Sequence, residues 1–197
     1  MTTSNSHSTQ SRGELVDELC EQLGLSEAVC LASKKLYQQV YDANAYHGRT
    51  TELVLGGTVY VACRALAEPM NPRRIADSLD LTRDELLGTA RHLMKSLDLS
   101  LPPASPGPFI TEYRDKLGFS SDVEEKAFEI FRICEDEGLH SGKSPSGFAA
   151  GAVYAASKLL DESITQAELS EVSNVSEVTI RNRYKSQIAL YRASKAE

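Results

Sequence analysis

The spacing of apolar residues along the chain predicts α-helices throughout and no β-strand. In the second half, apolar side chains recur every three or four residues in successive segments, as in helices that bury one face. A short amphipathic helix is predicted over Phe109–Leu117 and ends at Gly118. A longer one should begin at a capping box of Ser121 and Glu124 and stop at Gly138.

The next segment is rich in alanine and glycine. Ser144 is a suitable cap and Pro145 occupies the favoured first position of the helix that follows. Because small residues let neighbouring helices approach closely, this segment should form the central helix of its unit.

The stretch from Ile164 to Tyr184 has the layout of a helix-turn-helix. Thr165 and Glu168 form a capping box for a short helix. Ser173-Asn174-Val175 reads as a tight turn, since asparagine tolerates a positive φ, and Ser176 can cap a second helix. In such units the N-terminal residues of the second helix contact base edges in the major groove. A pair of packed helices in an ordinary helical domain is the alternative interpretation.

The chain repeats itself at a fixed separation of 94 positions without a gap, as Tyr60 and Tyr154 or Gly57 and Gly151 illustrate. Such a repeat predicts two copies of one structural unit, over residues 14–100 and 108–192. The first copy follows the same plan. Ser26 should start its long helix, 53–66 its central helix and Asn71-Pro72 its fourth, and Thr82 with Glu85 should cap its fifth. We therefore predict five helices per unit.

Proline marks the connection between the units. Residues 101–108 hold four of the seven prolines, so the predicted linker over residues 101–107 should be extended and semi-rigid. Polar, Ser- and Thr-rich residues 1–13 predict a disordered tail, and residues 193–197 predict a second tail.

Charge limits the way in which this chain could bind nucleic acid. The net charge of −7 and the pI near 5.2 exclude a protein that coats nucleic acid nonspecifically. The last stretch is the exception, because five cations there face only Glu177 and Glu197. Those cations are Arg181, Arg183, Lys185, Arg192 and Lys195.

Other chemistry finds little support in the sequence. The four cysteines are scattered, the four histidines share no metal-ligand or catalytic spacing, and no segment is long and apolar enough to span a membrane. The residues Gly138 and Gly142-Lys143-Ser144 fail the spacing of a nucleotide-binding phosphate loop. We expect no enzyme activity, no metal and no cofactor.

Three motifs on this duplicated helical unit carry a family resemblance. They are Tyr60-Val61-Ala62-Cys63-Arg64, Gly142-Lys143-Ser144-Pro145 and Glu177-Val178-Thr179-Ile180-Arg181-Asn182-Arg183-Tyr184. Together they resemble the core of archaeal transcription factor B and eukaryotic general transcription factor IIB. The resemblance implies two cyclin-like repeats in a monomer whose partners are TATA-box-binding protein, promoter DNA and RNA polymerase. It also implies a cytoplasmic location at the chromosome of an archaeon, or a nuclear one in a eukaryote, with no membrane partner.

The resemblance also implies site residues. Val178 and Arg181 match positions that read the upstream recognition element, a role that suits valine against a thymine methyl and arginine against guanine. Thr179, Arg183 and Lys185 are then placed as phosphate contacts. A loop of Gly48, Arg49, Thr50 and Thr51 matches one that enters the minor groove downstream of the TATA element.

Two departures from the family pattern leave other functions open. The sequence has no paired Cys-x-x-Cys of a zinc ribbon, so polymerase recruitment through a ribbon does not carry over. Asp84 and Glu85 stand where the second repeat has Val178 and Thr179, so only the second helix-turn-helix is expected to read DNA. A regulatory paralogue that competes for the promoter complex and a cyclin-like adaptor without a DNA role are the alternatives.

Overall fold

The structure, a computed structural model, describes the backbone of residues 4–196 and the side chains of residues 12–196. Within that part of the chain all regular structure is α-helical, which confirms the predicted fold class. Ten helices follow one another: α1 (Ser4–Leu23), α2 (Glu27–Asp42), α3 (Thr51–Ala65), α4 (Pro72–Ser78), α5 (Arg83–Ser96), α6 (Gly107–Leu117), α7 (Ser121–Asp136), α8 (Pro145–Leu159), α9 (Gln166–Ser173) and α10 (Glu177–Ser194). Among these described helices, none is both long and apolar enough to cross a membrane.

The chain divides into two compact units between Pro103 and Ala104, inside the proline-rich stretch. Each unit holds five helices around its own apolar core. In the first unit α3 is central and packs against α2 and α5, while in the second α8 packs against α7 and α10. Every residue of α8 from Ser146 to Val153 is buried, as the alanine- and glycine-rich pattern predicts.

Both units close the start of their second helix with the same clamp. The backbone N–H of Ser26 donates to Glu68 at 3.1 Å, and that of Ser120 donates to Glu162 at 3.0 Å. The serine hydroxyls also donate to these carboxylates. The serine and the glutamate are 42 residues apart in each unit. The internal repeat therefore extends to side-chain contacts.

Some helix ends differ from the sequence expectation. Ser120, not Ser121, caps α7, because its hydroxyl accepts from the N–H of Val123 at 3.3 Å. Helix α3 begins two residues before the expected start at position 53 and ends at Ala65, one residue before the expected end. Gly107, assigned to the linker, is the first residue of α6.

The N-terminal residues differ most from the expectation of a disordered tail over residues 1–13. Residues 1–3 lie outside the described residues, whereas α1 continues back to Ser4. The first 23 residues contain no proline, and serine and threonine lower helix propensity without breaking a helix. At the other end α10 reaches Ser194, inside the tail expected over residues 193–197.

Candidate nucleic-acid interface

The predicted helix-turn-helix is formed by α9 and α10. Thr165 and Glu168 make the capping box of α9, and the hydrogen bonds from Thr165 lower the pKa of Glu168. Asn174 has a φ of 55°, so it turns the chain in the left-handed region as the sequence predicts. Ser176 caps α10 by accepting from the N–H of Thr179 at 3.3 Å.

The inner face of α10 is held against α8 at a close crossing. A β-carbon added at Gly151 would lie 2.6 Å from the Arg183 β-carbon and 2.5 Å from Gln187 Oε1. Gln187 is fully buried and donates from Nε2 to the carbonyl of Phe148 at 2.9 Å. Ile180 is also fully buried. Packing therefore fixes which face of α10 points outward.

The outward face begins at the N-terminal turn. Val178 is 63% exposed, which is unusual for a branched apolar side chain in an otherwise packed helix. Arg181 is exposed as well, and its Nε donates to Gln166 Oε1 on α9 at 3.2 Å. Lys185 is exposed one turn further along. With spacings of three and four residues, these three side chains share one face of the helix.

Thr179 and Arg183 differ from the three exposed residues. Thr179 is half-buried, and its hydroxyl shares a hydrogen bond of 2.9 Å with Ser176. Arg183 is half-buried at the crossing with α8, and its Nε is buried with no hydrogen-bond partner among the described residues. The five predicted contact residues therefore differ in exposure. Val178, Arg181 and Lys185 are the most accessible of them.

The C-terminal end of α10 is tied to α7 by an ionic network that the sequence did not suggest. Glu129 accepts from Lys126 at 2.5 Å and from Lys195 at 2.7 Å. Lys126 also donates to the Tyr191 hydroxyl at 3.2 Å. Hydrogen bonds from Lys126 and then Lys195 lower the pKa of Glu129 to about 2. Lys195 is therefore already paired with a carboxylate of α7.

The corresponding helices of the first unit, α4 and α5, carry a carboxylate at the position where α10 carries an exposed apolar side chain. Asp84 stands at the position of Val178, and its side chain is 91% exposed beside Arg83 at 3.3 Å. Glu85 forms the capping box of α5 with Thr82, whose hydrogen bonds lower the pKa of Glu85. The two carboxylates thus differ in role, since Glu85 is a helix cap and Asp84 is an exposed charge beside Arg83.

The predicted minor-groove loop forms the connection from α2 to α3. Gly48 has a φ of 75°, and the N–H of Arg49 donates to the Tyr46 carbonyl at 3.1 Å, so the loop makes a tight turn. Arg49 is half-buried. Thr50 caps α3 by accepting from the N–H of Leu53 at 3.4 Å, and Thr51 is the first residue of that helix. Only Gly48 and Arg49 thus belong to the turn itself.

Aromatic contacts and a histidine hold this loop in place. The rings of Tyr41 and Tyr46 stack at 4.6 Å, and Tyr46 meets His47 edge to face. His92 on α5 hydrogen-bonds the carbonyl of Ala45 through Nε2 at 3.1 Å. Sequence reasoning missed these supports, although the run of tyrosines near position 46 was visible in it.

No group of three or more His, Cys, Asp or Glu side chains in residues 12–196 is placed to hold a metal ion. All four cysteines are free thiols.

Comparison with known proteins identifies the repeated unit. A family model for the transcription factor TFIIB repeat matches residues 5–96 and again residues 99–189. Transcription initiation factor IIB 6 of Halobacterium salinarum is 38% identical over 175 residues, covering 89% of this chain and 54% of that protein. Transcription initiation factor IIB of Archaeoglobus fulgidus is 39% identical and covers 86% of this chain and 52% of its own length.

A third relative gives the same picture. Transcription initiation factor IIB of Methanopyrus kandleri is 39% identical, over 86% of this chain and 56% of that protein. The chain therefore spans about half the length of the curated relatives it matches.

Proposed function

Since this chain belongs to the transcription factor TFIIB repeat family, we propose that it binds promoter DNA with a TATA-box-binding protein and reads the upstream recognition element through α10. The observation that carries the proposal is the outward face of α10. An exposed valine beside an exposed arginine, on a helix-turn-helix whose opposite face is buried, is suited to the major groove.

Val178 and Arg181 are assigned the base contacts. Arginine offers two parallel donors to guanine, and valine can pack on a thymine methyl group. Arg181 donates to Gln166 in the free chain, so it exchanges one exposed hydrogen bond for a bidentate contact when DNA binds. Glu177 precedes Val178 and is exposed, so any base reading must offset the repulsion between this carboxylate and phosphate.

Lys185 is assigned the main phosphate contact of this helix. Its exposure and its place on the same face as Arg181 suit a contact that fixes register without reading sequence. Arg183 is a weaker candidate, because it is half-buried and its Nε is buried at the crossing with α8. Thr179 contributes least, since its hydroxyl already bonds to Ser176.

The turn at Gly48 and Arg49 is assigned the minor-groove contact in the first unit. Glycine allows the backbone to approach closely, and arginine favours a narrow, electronegative groove. Thr50 and Thr51 support it by starting α3 directly behind the turn. Asp84 argues against base reading by α5, because an exposed carboxylate at that position would repel phosphate.

The test is a binding assay of the full chain with the cognate TATA-box-binding protein on two promoters that differ only in the upstream element. Arg181→Ala should weaken the complex by roughly 1–3 kcal/mol on the promoter that carries the element and much less on the other. Val178→Ala should act in the same direction. Arg192→Ala is the matched control, because it removes the same charge from the same helix about 16 Å further along.

An equal loss of affinity on the two promoters would indicate that Arg181 contacts phosphate and does not read bases. If no complex forms with either promoter, the chain acts as a protein adaptor and the proposal is wrong. Adding the chain to a reconstituted initiation reaction then distinguishes support of transcription from competition with a full-length factor.

A further inference from the structure

An apolar patch lies on the first unit where the first turns of α2 meet the end of α3. Leu31 is 54% exposed and Leu66 is 48% exposed, and they are two of the four exposed large apolar side chains among the described residues. Three exposed alanines extend the patch: Ala28 on the same face of α2, and Ala65 and Ala67 on either side of Leu66.

The two leucines belong to one surface. The clamp at the start of α2 ties this helix to the residues directly after Leu66. In the second unit, the residues 94 positions further on are Glu125 and Leu160, and both line a single surface cleft. Because the two units share the clamp and the helix order, Leu31 and Leu66 line the equivalent cleft of the first unit.

The second unit has carboxylates at three of the five equivalent positions. The residues Ala28, Leu31 and Ala67 correspond to the exposed residues Asp122, Glu125 and Asp161. The acidic version is compatible with the same fold, so the first unit does not need apolar side chains here for its own packing. The two copies of the unit therefore differ in surface chemistry at this place.

Ala67 has a backbone conformation that does not suit alanine. Its φ is 54°, in the left-handed region. Among the non-glycine residues that the structure describes, six have a positive φ, and the other five are asparagine or aspartate. Those two residue types tolerate this region best. The first unit thus keeps a methyl group where the local backbone favours a polar residue such as Asp161.

Charge beside the patch is asymmetric. Lys35 follows Leu31 by one turn of α2, is exposed, and makes no hydrogen bond or ion pair with any described residue. Its neighbour Lys34 is already paired with Asp17 at 2.6 Å. Glu27 is exposed one turn before Leu31. A ligand with a carboxylate at one end is therefore attracted to the Lys35 end of the patch and repelled from the other.

The size of the patch indicates what can cover it. Five side chains of this size expose on the order of 300 Å², the scale of a functional patch on a monomer. Each partner of a stable dimer buries about 800 Å², so the patch fits a short segment better than a second copy of this chain. Because the described residues form no sheet edge, the segment docks as a helix in a groove.

We propose that this apolar patch binds a short amphipathic helix of a partner protein. Two aliphatic side chains of that helix pack on Leu31 and Leu66, and a carboxylate near one of its ends pairs with Lys35. The patch is a second interaction surface of the chain, and the inference does not depend on DNA binding.

The probe is a fluorescent, alanine-based helical peptide with leucines four residues apart and glutamates one turn beyond them. Fluorescence anisotropy measures its affinity for the intact chain. One control peptide has lysine in place of glutamate, and another has alanine in place of leucine. Both controls should bind more weakly by about tenfold or more, the loss expected when an anchor contact is removed.

Three variants locate the binding surface. Leu31→Glu introduces the residue type of the second unit at the equivalent position, so it should keep the fold and weaken peptide binding by about tenfold or more. Lys35→Glu should reverse the preference between the glutamate and lysine peptides. Leu160→Glu is the matched control, because it changes the exposed leucine equivalent to Leu66 in the second unit, and it should leave the affinity unchanged.

Ala67→Asp separates binding from stability. Aspartate suits the left-handed φ, so this variant should unfold at a higher urea concentration and yet bind the peptide more weakly. A gain in stability with unchanged affinity would overturn the proposal. Equal losses for Leu31→Glu and Leu160→Glu, or no binding of any peptide, would also overturn it. If sedimentation shows a dimer that Leu31→Glu dissociates, a second copy covers the patch and the proposed partner helix is wrong.

Discussion

Gly151 lets Arg183 lie directly on α8, since a β-carbon at position 151 would come within 2.6 Å of the Arg183 β-carbon. The counterpart in the first unit is Gly57, where an added β-carbon would lie 3.0 Å from Thr89 Cγ2. This approach is less close than the one at Gly151. The crossing of the central helix with the last helix of each unit thus depends on glycine. In the second unit this contact sets the position of α10.

Gly151→Ala should therefore destabilise the second unit by about 1–3 kcal/mol, because the new methyl group overpacks the crossing. Urea unfolding followed by circular dichroism measures the loss. Gly88→Ala is the control, because a β-carbon there meets no atom within 4 Å. It should raise stability by up to about 1 kcal/mol through helix propensity. A neutral Gly151→Ala would mean that α10 can shift away from α8 without cost.

Lys185→Ala should weaken binding to promoter DNA by a similar factor whether or not the upstream element is present. The slope of log K against log salt should become shallower by about one, because one fewer counterion is released. Titrations at several salt concentrations measure this slope. A loss confined to promoters with the upstream element would instead make Lys185 a base contact.

Arg49→Ala should weaken the complex most when the sequence downstream of the TATA element is A·T-rich. Narrow minor grooves attract arginine, so the preference for such sequences should fall by roughly 1 kcal/mol. Competition between A·T-rich and G·C-rich downstream sequences measures it. Arg73→Ala removes an exposed arginine from α4 of the same unit and should leave the preference unchanged. Equal changes in both variants would indicate a general charge effect.

Glu129→Gln should lower the stability of the second unit by about 1 kcal/mol at neutral pH, since partly exposed ion pairs contribute little each. The pKa of Glu129 is lowered from 4.5 to about 2, so its contribution is complete above pH 4.5 and disappears as the pH falls towards 2. Unfolding at pH 7 and near pH 2 should show a difference between variant and parent only at the higher pH. Glu125→Gln, one turn earlier on α7, is the control and should have little effect.

The helix caps were predictable because capping chemistry is local. The boxes Thr82–Glu85 and Thr165–Glu168 form as their spacing predicts. The local pattern places the cap of α7 one residue too late, at Ser121, since two adjacent serines satisfy the same rule. The choice of Ser120 depends on its bond to Glu162, which lies 42 residues away. Local pattern cannot report a contact of that range.

The sequence by itself determined the helical class, the duplicated unit and the helix-turn-helix with its cations, because periodicity, internal repetition and turn chemistry are properties of short segments. Only the tertiary structure decided which of those cations are available. Gly151 and the packing beside it half-bury Arg183, and Glu129 pairs with Lys195, whereas Arg181 and Lys185 are exposed. A long side chain can reach many partners, and the fold decides which of them lies within hydrogen-bonding distance.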